Sequence, residues 1–162
     1  MKKELICGVG DIVVTNQPDV LVRTFALGSC VAVIFYSPGL KLAGMAHIAL
    51  PDSKVNPQRA RQKPGYYADT AIETLIRKLK KMGVKKNSQV WIKLIGGANI
   101  LDKNEKFNIG KRNVLAIKRQ LWRYKLGAIA EDVGQDYSRT VTLDMNTGRI
   151  LITSPGRPAK IL

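Results

Sequence analysis

The sequence predicts an α+β domain, a largely antiparallel sheet or sheet sandwich with two helices packed on it. Three observations carry this. Short apolar stretches of strand type outnumber helical ones. Most connections between them are too short for the crossover a parallel pair needs. Only two long stretches repeat apolar residues at helical spacing, and a glycine closes each. The 162 residues make one domain, residues 1–162. A chain of this size buries roughly 70% of its unfolded surface and needs no disulfide or metal to hold a core.

The first strand runs from Asp11 to Thr15, and Asn16-Gln17-Pro18-Asp19 turns the chain. Val20 to Phe25 is the second, ended by Gly28-Ser29. Cys30 to Tyr36 is almost wholly apolar, as a strand buried on both faces should be. Ser37-Pro38-Gly39 then turns into a partner strand, Leu40 to Leu50. With Pro38-Gly39 as the turn, this hairpin sets Cys30 opposite His47. Pro51 to Gly65 carries three prolines with Lys54, Arg59, Arg61 and Lys63, and reads as a mobile loop. Tyr66 to Met82 is a helix with Ala68, Ile72, Leu75, Ile76 and Leu79 inward. Val90 to Ile95 is a strand, and Gly96-Gly97-Ala98-Asn99 a turn. A second helix, Lys111 to Leu126, turns Val114, Ile117, Leu121 and Tyr124 inward. Strands follow at Ala128–Val133, Arg139–Met145 and Arg149–Thr153, the last two joined through Asn146-Thr147-Gly148. The proline-containing tail, 154–162, is expected to be loose.

Composition excludes several classes. An apolar fraction of 45% argues against disorder. No apolar run reaches the ~18 residues of a membrane span. Gly8, Gly10 and Asp11 interrupt what could have been a secretory leader after Met1-Lys2-Lys3-Glu4, so the expected location is cytoplasmic. Two cysteines and one histidine, without a tight pair spacing, make a poor zinc site. The net charge of +15, from 27 Lys and Arg against 12 Asp and Glu, attracts anionic partners without saying which.

The candidate chemistry lies between Arg23 and His47. Cys30 follows a Gly-Ser turn, and His47 is the only histidine, so it is the only imidazole base available. A cysteine attacks as thiolate, and a nearby imidazole takes its proton. The imidazole needs a third group to hold its ring. Thr24 stands on the strand leading into the turn and could do so; Asp19 and Asp52 are rivals for that role. Gly28 and Ser29 let the backbone bend so that free N–H groups near Cys30 face a developing oxyanion. The structural alternative is a buried cysteine acting as a small hydrophobe and a hydrogen-bonded core histidine. Cys7 reads as structural. Ser29 does not sit in a G-x-S-x-G elbow. Gly8-Val9-Gly10 and Gly96-Gly97 lack the partners of phosphate loops and read as turns.

Leu27-Gly28-Ser29-Cys30-Val31-Ala32-Val33 and Gly44-Met45-Ala46-His47-Ile48-Ala49-Leu50-Pro51 resemble the signature of the CheD family, the chemoreceptor glutamine deamidases of bacterial and archaeal chemotaxis. Tyr67-Ala68-Asp69-Thr70-Ala71, Ile95-Gly96-Gly97-Ala98, Asn108-Ile109-Gly110-Lys111-Arg112-Asn113 and Ala130-Glu131-Asp132-Val133-Gly134 resemble its later motifs, in order along nearly the whole chain. The resemblance implies a three-layer αββ fold, with mixed, mostly antiparallel sheets and two main helices on one side. It implies a catalytic Cys, His and Thr at Cys30, His47 and Thr24. The implied reaction is hydrolysis of a glutamine carboxamide in a receptor's cytoplasmic helices. Cys30 attacks, His47 protonates the departing ammonia, and water cleaves the thioester. It implies no metal or cofactor, and a further partner, the CheC phosphatase.

Two other readings compete. One is a regulatory protein that binds the receptor or CheC without turnover. The other is a basic nucleic-acid module, suggested by Trp122 and Tyr124 among Arg123 and Lys125. No nucleic-acid motif is present, those aromatics can instead help pack their helix, and nucleic acid is not an expected partner.

Overall fold

A computed structural model of the chain describes residues 1–101, 104 and 106–162. Among the described residues, ten strands form two five-stranded sheets. The strands are β1 (Lys3–Ile6), β2 (Ile12–Thr15), β3 (Val20–Leu27), β4 (Val31–Ser37), β5 (Leu42–Ile48), β6 (Trp91–Gly96), β7 (Ala130–Val133), β8 (Arg139–Asp144), β9 (Ile150–Ser154) and β10 (Arg157–Ile161). The helices are α1 (Pro57–Gln62), α2 (Ala68–Lys81) and α3 (Ile109–Arg123). One sheet has the order β1-β3-β8-β9-β10, the other β2-β5-β4-β6-β7. Most pairs are antiparallel; β1 with β3 and β6 with β7 are parallel. The second of these parallel pairs has α3 in its connection, as a parallel crossover requires.

The burial pattern explains the layers. Along β4, Val31, Val33 and Phe35 face one core with Ala68, Ile72, Leu75 and Leu79 of α2 and Val114, Ile117 and Leu121 of α3. Ala32 and Ile34 face the other core, with Val22 of β3, Val141 and Leu143 of β8 and Ile152 of β9. The sheet containing β4 is therefore the middle layer, with helices on one face and the other sheet on its back. This is the αββ arrangement of an α+β fold. It is why β4 and β5 are apolar on both faces, where a two-layer protein would alternate.

Several expectations change. The tail is ordered: β10 pairs antiparallel with β9. Pro155-Gly156 forms the connection, with Gly156 at φ 68°, so proline here starts a hairpin turn. Pro158 falls where the register shifts between Arg157 and Lys160, on an edge strand that does not need its missing N–H. Residues 51–65 are built from short capped turns. The Asp52 side chain accepts from Lys54 N, the Asn56 side chain accepts from Arg59 N, and Pro57 opens α1. The Ser53 hydroxyl then bonds Asp69 of α2 at 2.5 Å. β1 lies outside the strands expected from the sequence, because its four residues, two charged then two apolar, carry no alternation that signals a strand. Trp122 is 79% exposed and packs no helix face.

Candidate active site

The site forms where the chain crosses from one sheet to the other, between β3 and β4. β3 carries a bulge between Thr24 and Leu27, and Ala26 inside it is left-handed at φ 52°. Bulges re-aim side chains locally, and a left-handed alanine is uncommon. Thr24 is fully buried and points from its sheet into the space between the sheets. His47 of β5 faces it from the other sheet. Thr24 Oγ1 lies 2.7 Å from His47 Nδ1. Asp19 and Asp52, the rivals for this role, are engaged elsewhere. Asp19 accepts from Asn146 Nδ2 at 2.7 Å, and Asp52 accepts from Lys54 N at 2.8 Å.

The hairpin places Cys30 and His47 differently from the expected pairing. His47 is opposite Ala32, because the loop holds four residues, Pro38 to Lys41, with Lys41 left-handed at φ 48°. The register is therefore two residues away from that of a two-residue turn. A shift of two keeps every side chain on its face, whereas a shift of one would have turned His47 toward the helices. Cys30 thus stays on the face of His47 as its diagonal neighbour, a separation of ~7–8 Å between backbone positions for such pairs.

His47 Nε2 is buried and makes no hydrogen bond to any described residue. With Nδ1 held by Thr24, Nε2 is the nitrogen left to exchange a proton. Burial pulls the His47 pKa below its ordinary value of 6.5, while the Cys7 carbonyl and the Asp11 carboxylate partly offset this. Burial pushes the Cys30 thiol up from its ordinary value, and its own backbone N–H works against the rise. The resting pair is therefore a thiol and a neutral imidazole. Cys7 is a different case: fully buried, held to the Asp11 and Met45 carbonyls, and pushed up to about 12, chiefly by burial.

The backbone before the nucleophile is pinned. Ala98 N donates to Gly28 O at 2.8 Å, and Gly97 N donates to Cys30 O at 2.8 Å. The turn after β6 can come this close only as glycine. Gly96 is at φ 117°, and a Cβ on it would run into the Cys30 carbonyl. Asn113 of α3, fully buried, donates to Ser29 O at 2.9 Å and Ala49 O at 3.0 Å. The Ser29 and Cys30 N–H groups donate to no other described residue. Cys30 opens onto a cleft of about 500 Å³ lined also by Gly28, Ser29, Ile100, Phe107 and Gly110. Neither His47 nor Thr24 lines it. The described residues contain no cluster of His, Cys, Asp or Glu that could hold a metal ion.

Sequence reasoning gave Asn113 no role. Its only signal was its place at the end of the Asn108–Asn113 motif.

A family model described as CheD chemotactic sensory transduction matches residues 49–154. The chain belongs to the CheD family. The match includes Asn113 but stops short of Thr24, Cys30 and His47, which full-length relatives span. A probable chemoreceptor glutamine deamidase CheD of Syntrophotalea carbinolica is 46% identical over 95% of this chain and 96% of its own. The chemoreceptor glutamine deamidase CheD of Thermotoga maritima is 42% identical over 96% of this chain and 94% of its own. One of Anaeromyxobacter dehalogenans, also a probable CheD deamidase, is 40% identical over 95% and 96%. Among solved structures, the hypothetical protein YfiH of Bacillus licheniformis superposes with a TM-score of 0.40 at 13% identity, covering 81% of this chain and 60% of that one. As a CheD, this chain has no helix among the described residues long and apolar enough to cross a membrane.

Proposed function

We propose that this CheD hydrolyses the side-chain carboxamide of glutamines in the cytoplasmic helices of chemoreceptors, working in the cytoplasm. The observation that carries the chemistry is the 2.7 Å contact between Thr24 Oγ1 and His47 Nδ1 beside the pinned Cys30 segment. The names of the full-length relatives support the substrate.

Thr24 accepts from Nδ1–H, which leaves the Nε2 lone pair to take the Cys30 proton as the thiolate attacks. The carbonyl oxygen takes up negative charge, and backbone N–H groups at Cys30 receive it. His47 then gives its proton to the leaving nitrogen, and ammonia departs from a Cys30 thioester. Water, deprotonated by His47, attacks that thioester. Glutamate forms and the thiol is restored. Apart from the substrate glutamine and one water, no further group is needed to balance either half.

The unactivated thiol favours a second reading, a regulatory protein that binds receptor without turnover. The CheC phosphatase partner suits both readings. The two separate by mass spectrometry on a chemoreceptor cytoplasmic fragment incubated with wild type and with Cys30→Ala. Conversion of glutamine to glutamate by the wild type alone is the expected result. Binding of the fragment by both proteins with conversion by neither selects the regulatory reading.

A further inference from the structure

We propose that Asn113 is a positioning residue of this site. By pinning the Ser29 carbonyl it aims the Cys30 N–H at the reacting oxygen, and by holding Ala49 it ties that peptide to the strand end that carries His47. The inference rests on the deamidase reading above.

A trans peptide is planar, so its C=O and N–H point in opposite directions. Fixing one fixes the other. The carbonyls of Gly28, Ser29 and Cys30 are each held, by Ala98 N, Asn113 Nδ2 and Gly97 N in turn. The N–H groups sharing the first two peptide planes belong to Ser29 and Cys30. Each points opposite the pinned carbonyl of its own peptide, and both are unengaged among the described residues. The middle pin is the only one supplied by a side chain.

That side chain is an unusual choice for stability alone. Asn113 is fully buried in a helix interior, where asparagine has poor propensity, and its Oδ1 has no partner among the described residues. An apolar residue would avoid both costs. What asparagine offers is two N–H donors on one short rigid group, and both are used. They reach segments 84 and 64 residues away in sequence, one ending in the nucleophile and the other beginning two residues after the base. Aspartate has the shape without the donors. Serine has one donor and falls short of both carbonyls.

The test uses Asn113→Ser and Asn113→Asp in the full chain, after checking fold by circular dichroism and melting. Two quantities are read: kcat and KM on the receptor fragment, and the pH midpoint for alkylation of Cys30 by iodoacetamide, with Cys7→Ser as background. The proposal predicts that kcat falls at least tenfold while KM stays within twofold. It also predicts that the alkylation midpoint rises, because the Cys30 N–H no longer faces its own sulfur. A folded variant with unchanged kcat overturns the proposal. So does one that loses kcat with an unmoved midpoint, which marks a merely structural residue. The alkylation arm needs no substrate, so it still decides the role of Asn113 if the wild type proves inactive on receptor. If neither variant folds, a crystal structure of the wild type alkylated at Cys30 decides. The adduct's carboxamide oxygen on the Cys30 N–H, with both Asn113 bonds kept, supports the proposal; an N–H turned elsewhere overturns it.

Discussion

One hydrogen bond decides what His47 can do. A ring held at Nδ1 by a threonine carries no counter-charge, unlike a ring held by aspartate. Together with burial, this keeps the imidazole neutral at rest. Thr24→Val removes the contact at nearly constant volume. A net hydrogen bond is worth about 1 kcal/mol, so kcat should fall by about fivefold, with Thr24→Ser retaining most of it. His47→Ala should cost roughly 10²–10⁴-fold. The sign of the pH dependence follows from the same burial. The base must be neutral, and its pKa is lowered from 6.5, so activity persists below pH 6.5 before it falls. An acid limb of kcat/KM with its midpoint above 6.5 contradicts this environment. Cys30 and His47 were legible in the sequence because each is nearly alone of its kind. Thr24 was legible from its place before the turn only as one of three candidates with Asp19 and Asp52, since a threonine on a strand has many uses; the family resemblance singled it out. Asn113 was not legible at all, because its role depends on two carbonyls far away in the chain.

At the scale of elements, the apolar runs and helical stripes gave most strands and both long helices within a few residues. What they missed depends on context. β1 and β10 are edge strands, exposed along most of their length, and their pairing comes from neighbours and not from periodicity. The hairpin register followed the length of its loop, which the Pro38-Gly39 signal understated. The approach of α3 to the turn after β6 is another such feature. A Cβ on Gly110 would collide with the carbonyl oxygens of Gly97 and Ala98, the residues whose N–H groups pin the nucleophile segment. Gly110→Ala should cost roughly 1–3 kcal/mol by overpacking. It should also lower kcat by displacing Gly97 and Ala98. Melting and turnover measured on one preparation check both, and an active variant of wild-type stability counts against this packing.

Across the whole molecule, two features stand apart from the site. Basic residues gather on the helix layer, with Arg77, Lys78, Lys80 and Lys81 on α2 and Arg112, Lys118, Arg119 and Arg123 on α3 all exposed. The sheets are joined by Arg139 of β8, which is fully buried and reaches Asp132 of β7 at 3.2 Å and the Gly134 carbonyl at 2.8 Å. Burial raises the Asp132 carboxyl, but Arg139 and Lys160 more than offset this and hold it below its ordinary 3.8. Its contribution to stability is therefore present above about pH 4 and lost as pH falls through the lowered value. Asp132→Ala leaves a buried guanidinium without its counter-charge and should destabilise by roughly 3–5 kcal/mol. Chemical denaturation at neutral pH reads this directly; a loss under 1 kcal/mol would mean that the pair does not join the layers.

The central claim is that Cys30 carries the acyl group between the loss of ammonia and the entry of water. Acid quenching of the wild type during turnover on a receptor fragment, followed by intact-protein mass spectrometry, tests it most directly. The account predicts a covalent adduct on Cys30 equal to the fragment less ammonia, absent from Cys30→Ala, which is also inactive. Conversion of glutamine by Cys30→Ala would contradict it.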